Sequence, residues 1–162
     1  MRKNIVNLDE LELQPRPPQF APAGPAAERY EARLAFIGPR IGAKKLGYNL
    51  TAVPPGKRAF PFHSHRVQEE MFFVLEGTGE LRIGAERFPV RAGDVIACPT
   101  GGPETAHQII NTGATELRYL AVSTKEPTEI CEYPDTGKIA GFGDSMRFVV
   151  RGDQQVGYWD GE

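Results

Sequence analysis

From residue 47 onward, apolar and polar positions alternate over short runs, and glycine, proline and other turn formers separate the runs. Side chains at i and i+2 share one face of a strand, so this period-two pattern predicts strands. The predicted strands are 48–53, 58–65, 70–76, 80–83, 87–91, 95–98, 106–111, 117–123, 130–133 and 146–151. Short strands at this spacing build a sandwich or barrel. Gly77-Thr78-Gly79 reads as the tight turn of a hairpin joining two of them. Before residue 47 the pattern is mixed. Tyr30, Leu34, Phe36 and Ile37 fit either a short helix or an edge strand, with the strand preferred, and Gly38-Pro39 would break both. Residues 14–27 carry five prolines and no apolar periodicity, which predicts an extended arm.

Composition narrows the class. The chain has 162 residues, enough for one domain with its own core. We expect an N-terminal arm over 1–29 and one domain over 30–162, with the barrel motifs inside 47–124. Glycine (18) and proline (14) together are about one residue in five, which fits a turn-rich β protein better than a helical bundle. The net charge of −2 gives no pull towards phosphate backbones or anionic lipid, so neither nucleic acid nor membrane is expected as a partner. The longest apolar run, 71–75, is far too short to span a bilayer, and the N-terminus lacks the apolar stretch of a secretion signal. A cytoplasmic protein with reduced thiols at Cys98 and Cys131 is the expectation.

The chemistry lies in three histidines, all in the β-rich half. His63 and His65 are two apart, so on a strand they project from one face. Glu70 opens the next predicted strand, and His107 follows 37 residues later. Three imidazoles and one carboxylate suit one divalent transition metal (Fe, Mn, Ni or Zn), and octahedral geometry leaves two positions open. A strand His-x-His pair also occurs by chance on protein surfaces, so the argument needs all four residues.

The spacing Gly56-x6-His63-x-His65-x4-Glu70-x6-Gly77, followed by Gly93-x5-Pro99-x-Gly101-x5-His107-x3-Asn111, closely resembles the two motifs of the cupin superfamily. The resemblance implies an all-β double-stranded β-helix, or jelly roll, with one metal ion held by His63, His65, Glu70 and His107. It also implies a homodimer built through the arms. Two departures are visible: Gly56 lies one residue further from His63 than usual, and the loop between Gly101 and His107 holds three extra residues. The segments VPPGKRAFPFHSH, EEMFFVLEGTGELRIG and GDVIACPTGGPETAHQIINTG, with the terminal YWDGE, are similar to a bacterial group of single-cupin proteins labelled cupin-domain proteins or sugar-phosphate isomerases. For this chain that implies a metal-binding cupin acting on a small oxygenated metabolite, first as a sugar or sugar-phosphate isomerase. An iron-dependent dioxygenase and a non-catalytic sugar- or ligand-binding cupin are the alternatives.

An isomerase needs a base, and no histidine is left over. Candidates are Glu104 in the lengthened loop, a metal-bound hydroxide and Tyr48; Glu104 is preferred. Lys57, Arg58 and Arg66 flank the first motif and are candidates for contacting a phosphate. Cys98 is expected to be buried and unreactive.

Overall fold

The structure, a computed structural model, describes residues 4–162. Its backbone is set by two eight-residue strands, β3 (Leu46–Val53) and β10 (Leu117–Thr124), paired antiparallel along their whole length. On the far side of β10 lies β5 (Glu70–Glu76), then β8 (Val95–Cys98). Beyond β3 come β2 (Arg33–Phe36) and the two-residue β1 (Gln14–Pro15), completing six strands in the order β1-β2-β3-β10-β5-β8. A three-stranded sheet, β7-β6-β9, is made from β6 (Thr78–Ile83), β7 (Glu86–Arg91) and β9 (His107–Ile110). The third sheet, β13-β12-β11-β4, joins β4 (Ser64–His65), β11 (Glu129–Tyr133), β12 (Lys138–Phe142) and β13 (Arg147–Arg151). This is the expected jelly roll. No helix among the described residues is long and apolar enough to cross a membrane.

Alternation explains the core. Phe72 and Val74 of β5, Tyr119 and Ala121 of β10, and Val53 of β3 point inward and meet Leu81, Val90 and Ile109 of the three-stranded sheet in one buried cluster. The six-stranded sheet is apolar on its outer face too. There Ala35 and Leu50, with Leu75 and Leu120, form a second cluster. The arm covers it with Val6, Leu8, Leu11 and Leu13, so these residues keep an otherwise exposed apolar face from water.

Three sequence expectations need correction. Gly77-Thr78-Gly79 is not a hairpin turn, because β5 and β6 belong to different sheets and do not pair. It is a corner between layers. Gly77 has φ +83°, and a Cβ there would lie 2.5 Å from the Glu116 carbonyl oxygen, as one at Gly79 would from that of Ile110. The 58–65 strand shrinks to Ser64–His65, since Pro61 has no N–H to give a ladder; Arg58 and His63 keep only isolated bridges. The strand β12 is absent from the sequence reading, because Gly141 reads as a turn residue. In the structure the ring of Phe148 packs where a side chain at Gly141 would stand. The preferred strand before residue 47 is present as β2, followed by one helical turn, Gly38–Ile41, that stops at Gly42 with φ +84°.

Candidate metal centre

The three sheets meet at the four residues singled out by spacing. His65 ends β4, Glu70 opens β5 and His107 opens β9. His63 faces His107 in an antiparallel bridge closed by two backbone hydrogen bonds, from His107 N to His63 O at 2.8 Å and from His63 N to His107 O at 3.2 Å. Opposed residues put their side chains on one face, and the two rings lie 4.7 Å apart. Glu70 Oε2 lies 3.0 Å from His107 Nε2, 3.4 Å from His65 Nε2 and 3.8 Å from His63 Nε2. One ligand atom from each of the four falls within 4.8 Å of the others.

The outer nitrogens explain why these rings aim inward. His63 Nδ1 lies 2.8 Å from the Pro61 carbonyl oxygen and His107 Nδ1 lies 3.4 Å from that of Thr105, in each case two residues back. An ion on Nε2 would leave the proton on Nδ1, where both carbonyls can accept it; without an ion, His107 Nε2 is placed to donate to Glu70 Oε2 instead. His65 Nδ1 instead meets Cys131 Sγ at 3.3 Å and Glu129 Oε2 at 3.5 Å. Its Nε2 is buried with no hydrogen-bond partner. A buried nitrogen without a partner, two more Nε2 atoms and a carboxylate converging on one point fit a divalent cation. The set can hold an ion while His63, His65 and Glu70 keep between 11% and 18% of their side-chain surface open.

The charges fit as well. Burial pushes the His63 imidazole down to about 4, and neighbouring His107 adds to this, so His63 is neutral at pH 7 with its lone pair free. For His65 burial acts downward too, but contacts with Cys131 and the Glu70 carboxylate outweigh it and raise the imidazole to about 10. An entering ion must therefore displace a proton from His65 at neutral pH. Affinity is expected to rise about tenfold per pH unit between pH 6 and 8, with about one proton released per ion. Calorimetric titration in two buffers of different ionisation enthalpy measures that proton; a count of zero would mean that His65 is already neutral.

The remaining predicted residues are not among the clustered ligand atoms. Glu104 is exposed in the lengthened loop, where its Oε1 accepts a hydrogen bond from Gly102 N at 2.9 Å. That bond holds its carboxyl below the usual range. The loop is tied to the centre through Gly101 N, which donates to His65 O at 2.8 Å. Tyr48 packs in the outer apolar cluster under the arm. Arg66 is bound to Glu132, Lys57 donates to the carbonyls of Ala27 and Glu28, and Arg58 lies over the Tyr30 ring at 5.9 Å. Cys98 is buried opposite Glu70 in the β5–β8 ladder, and burial pushes its thiol up to about 12. Sequence reasoning misses one face of β11: Glu129, Cys131 and Tyr133. The first two touch His65, and the Tyr133 ring stacks 6.1 Å from that of His63. The signal present is a Glu-x-Cys-x-Tyr alternation, masked because Ile130, the apolar residue that should point inward, is exposed.

Comparison with known proteins agrees with this geometry. Residues 49–123 match the family model described as Cupin domain. An uncharacterized protein of Methanocaldococcus jannaschii is 38% identical over 84 residues, 49% of this chain and 64% of that protein. The oxalate-binding protein of Thermotoga maritima is 39% identical over 70 residues, 43% of this chain and 54% of that protein. The chain thus spans between about half and two thirds of the length of these curated relatives. A solved structure from Silicibacter pomeroyi, described as a sugar phosphate isomerase from a cupin superfamily, superposes with a TM-score of 0.81 at 27% identity, covering 96% of this chain and 98% of that one. Barrel, spacing and matches agree: residues 49–123 form a cupin domain.

Proposed function

We propose that this cupin holds one divalent metal through His63, His65, Glu70 and His107 and isomerises a small hydroxy-carbonyl metabolite, a sugar or sugar phosphate. The observation that carries the reading is the convergence of three Nε2 atoms and one carboxylate oxygen at a point where His63, His65 and Glu70 keep part of their side-chain surface exposed. The description of the Silicibacter pomeroyi structure supports the substrate class. A bound ion would supply Lewis-acid polarisation of a substrate oxygen. The protein supplies the rest. Pro61, Thr105 and Glu129 fix the three rings, and buried Phe72, 5.7 Å from the His107 ring, closes one side against water. Burial pushes the Tyr133 phenol up, so at neutral pH it keeps its proton and can donate it beside His63. Glu104, held ionised by Gly102 N, is the carboxylate that would accept a proton, from a loop anchored to His65.

Proton exchange tests this. Metal-loaded protein in heavy water, given a panel of aldoses, ketoses and their phosphates, is expected to place deuterium at the carbon next to the carbonyl, and Glu104→Gln is expected to slow this at least about tenfold. Exchange that persists after the metal is removed, or oxygen uptake in place of exchange, would overturn the reading. The oxalate-binding relative favours a second reading, a non-catalytic binding module at the same site. Ligand binding without exchange is its signature.

We also propose a homodimer. The edge strand β13 is exposed on both faces and presents Phe148, Val149 and Val150 to water, a pairing surface for another strand. Val149→Lys should shift the mass in light scattering towards that of one chain; an unchanged mass would count against this edge.

A further inference from the structure

The arm and the barrel line a half-open cavity, about 370 Å³, between residues 16–30, the segment Ala59-Phe60-Pro61, and Thr136 and Lys138. Three cationic side chains line it, Arg16, Arg29 and Lys138, and no carboxylate does. Six cations of the chain pair with carboxylates, Arg33 with Glu116, Lys57 with Glu31, Arg66 with Glu132, Arg82 with Asp135, Arg87 with Glu80 and Arg118 with Glu76, while others such as Arg40, Lys45 and Arg91 stand singly; what distinguishes this cavity is that three unpaired cations line one space without a carboxylate. Among the described residues, Arg16, Arg29 and Lys138 have no carboxylate within 4.0 Å, and neither do Arg58 and Arg147 close by.

Aromatic faces hold these cations instead. Arg16 lies 4.5 Å from the Phe60 ring centre, Arg29 5.7 Å from that of Tyr30 and Lys138 5.3 Å from that of Tyr133. Arg58 shares the Tyr30 ring, and Arg147 lies over Phe20. Stacking fixes a cation without cancelling its charge and leaves the N–H edge of a guanidinium free to donate. Arg16 is further fixed by donating from Nη2 to Ala59 O at 2.8 Å, and Arg58 Nε is buried with no partner at all. Like charges gathered without counter-charge repel one another, so the arrangement is stabilised by an incoming anion. The volume lies in the range of small-molecule sites and exceeds what an inorganic anion fills. Phe20, Tyr30 and Phe60 offer an apolar surface for an organic body.

We propose that this arm–barrel cavity is a binding site for a small organic phosphate, with Arg16, Arg29 and Lys138 receiving the phosphate group. The proposal concerns binding alone and stands whether or not the metal centre is catalytic. Guanidinium N–H donors match phosphate oxygens, and a dianion offsets several of the cations at once. The site is separate from the four metal-centre residues but adjoins them: the cavity wall ends at Pro61, whose carbonyl oxygen receives His63 Nδ1.

Calorimetric titration of the full chain, metal-loaded and chelator-stripped, tests this with fructose 6-phosphate, inorganic phosphate and fructose as probes. The expected result is binding of the ester in both preparations, weaker binding of inorganic phosphate, and fructose at least about tenfold weaker than its phosphate. Arg29→Gln, at an exposed position, should weaken the ester several-fold, and Arg29→Gln with Lys138→Gln by about tenfold or more. Equal affinity for fructose and its phosphate, an unaffected double variant, or loss of ester binding on metal removal would each overturn the proposal. The last outcome would place the phosphate at the metal centre.

Discussion

Replacing Glu70 with glutamine is expected to weaken divalent-metal binding about a thousandfold while the barrel still folds. Glutamine keeps the volume and one oxygen, so the substitution isolates the charge. Glu70 is the one carboxylate in the four-residue cluster, and its Oε2 lies within 3.0–3.8 Å of all three Nε2 atoms. A partly buried charge left without its partner costs about 3–5 kcal/mol, and about 4 kcal/mol corresponds to about 10³ in dissociation constant. Without metal the carboxylate is already committed to its role. Burial pushes its pKa up, but the hydrogen bond with His107 and the nearness of the His65 and His63 imidazoles outweigh this and hold it far below the usual carboxylate range. A folded pKa below the unfolded one contributes stability above the unfolded value and loses it as pH falls through the folded value. Metal-free wild type and Glu70→Gln should therefore converge in stability in strong acid. Competition with a chelating indicator measures the affinity, and an unchanged dissociation constant would show that the ion is held without Glu70.

The four cluster residues were legible because their information is local. His63 and His65 are two apart, Glu70 starts a strand, and strands such as 70–76 and 95–98 lie where alternation places them. His107 was legible only as the third histidine of the β-rich half; its approach to the others depends on a bridge between distant segments. What stayed hidden depends on which strands become neighbours. Nothing near Gly77 says that β5 and β6 part into different sheets; the reason is the carbonyls of Glu116 and Ile110, some 30 to 40 residues away. The arm was legible as proline-rich, but not its task of covering Leu50 and Leu120. β11 was legible as a strand over 130–133 but its inward face was not, since plain alternation would put Ile130 in the core and Glu129 in solvent, whereas Glu129 and Cys131 are buried and Ile130 is exposed. Its burial reverses because the inner face of β11 borders a polar site and the backbone of residues 66–68, which need an acceptor rather than an alkyl group.

That acceptor carries the second large effect. Glu129→Ala is expected to destabilise the protein by about 4 kcal/mol and to lower Tm by about 8–16 °C. Glu129 is 3% exposed, and its carboxylate accepts backbone N–H groups from Arg66 at 3.0 Å, Val67 at 3.2 Å, Gln68 at 2.5 Å and Ile130 at 2.7 Å. Hydrogen bonds to a charged acceptor are worth about 1.5–3 kcal/mol each. Water can replace some of them, because Arg66 and Val67 are at the surface, so the net loss falls short of the sum. The same carboxylate faces His65 Nδ1 at 3.5 Å, which links the fold to the centre. Losing an outer partner of a metal-binding imidazole weakens metal binding by about 10- to 100-fold. Glu129→Gln separates the two roles: its oxygen can keep part of the amide cluster, while its neutral head no longer complements His65. It should retain most of the lost Tm and still bind metal about tenfold more weakly. Thermal unfolding and indicator competition on the same samples decide the matter. Full metal affinity in folded Glu129→Gln would confine Glu129 to holding the 66–68 backbone.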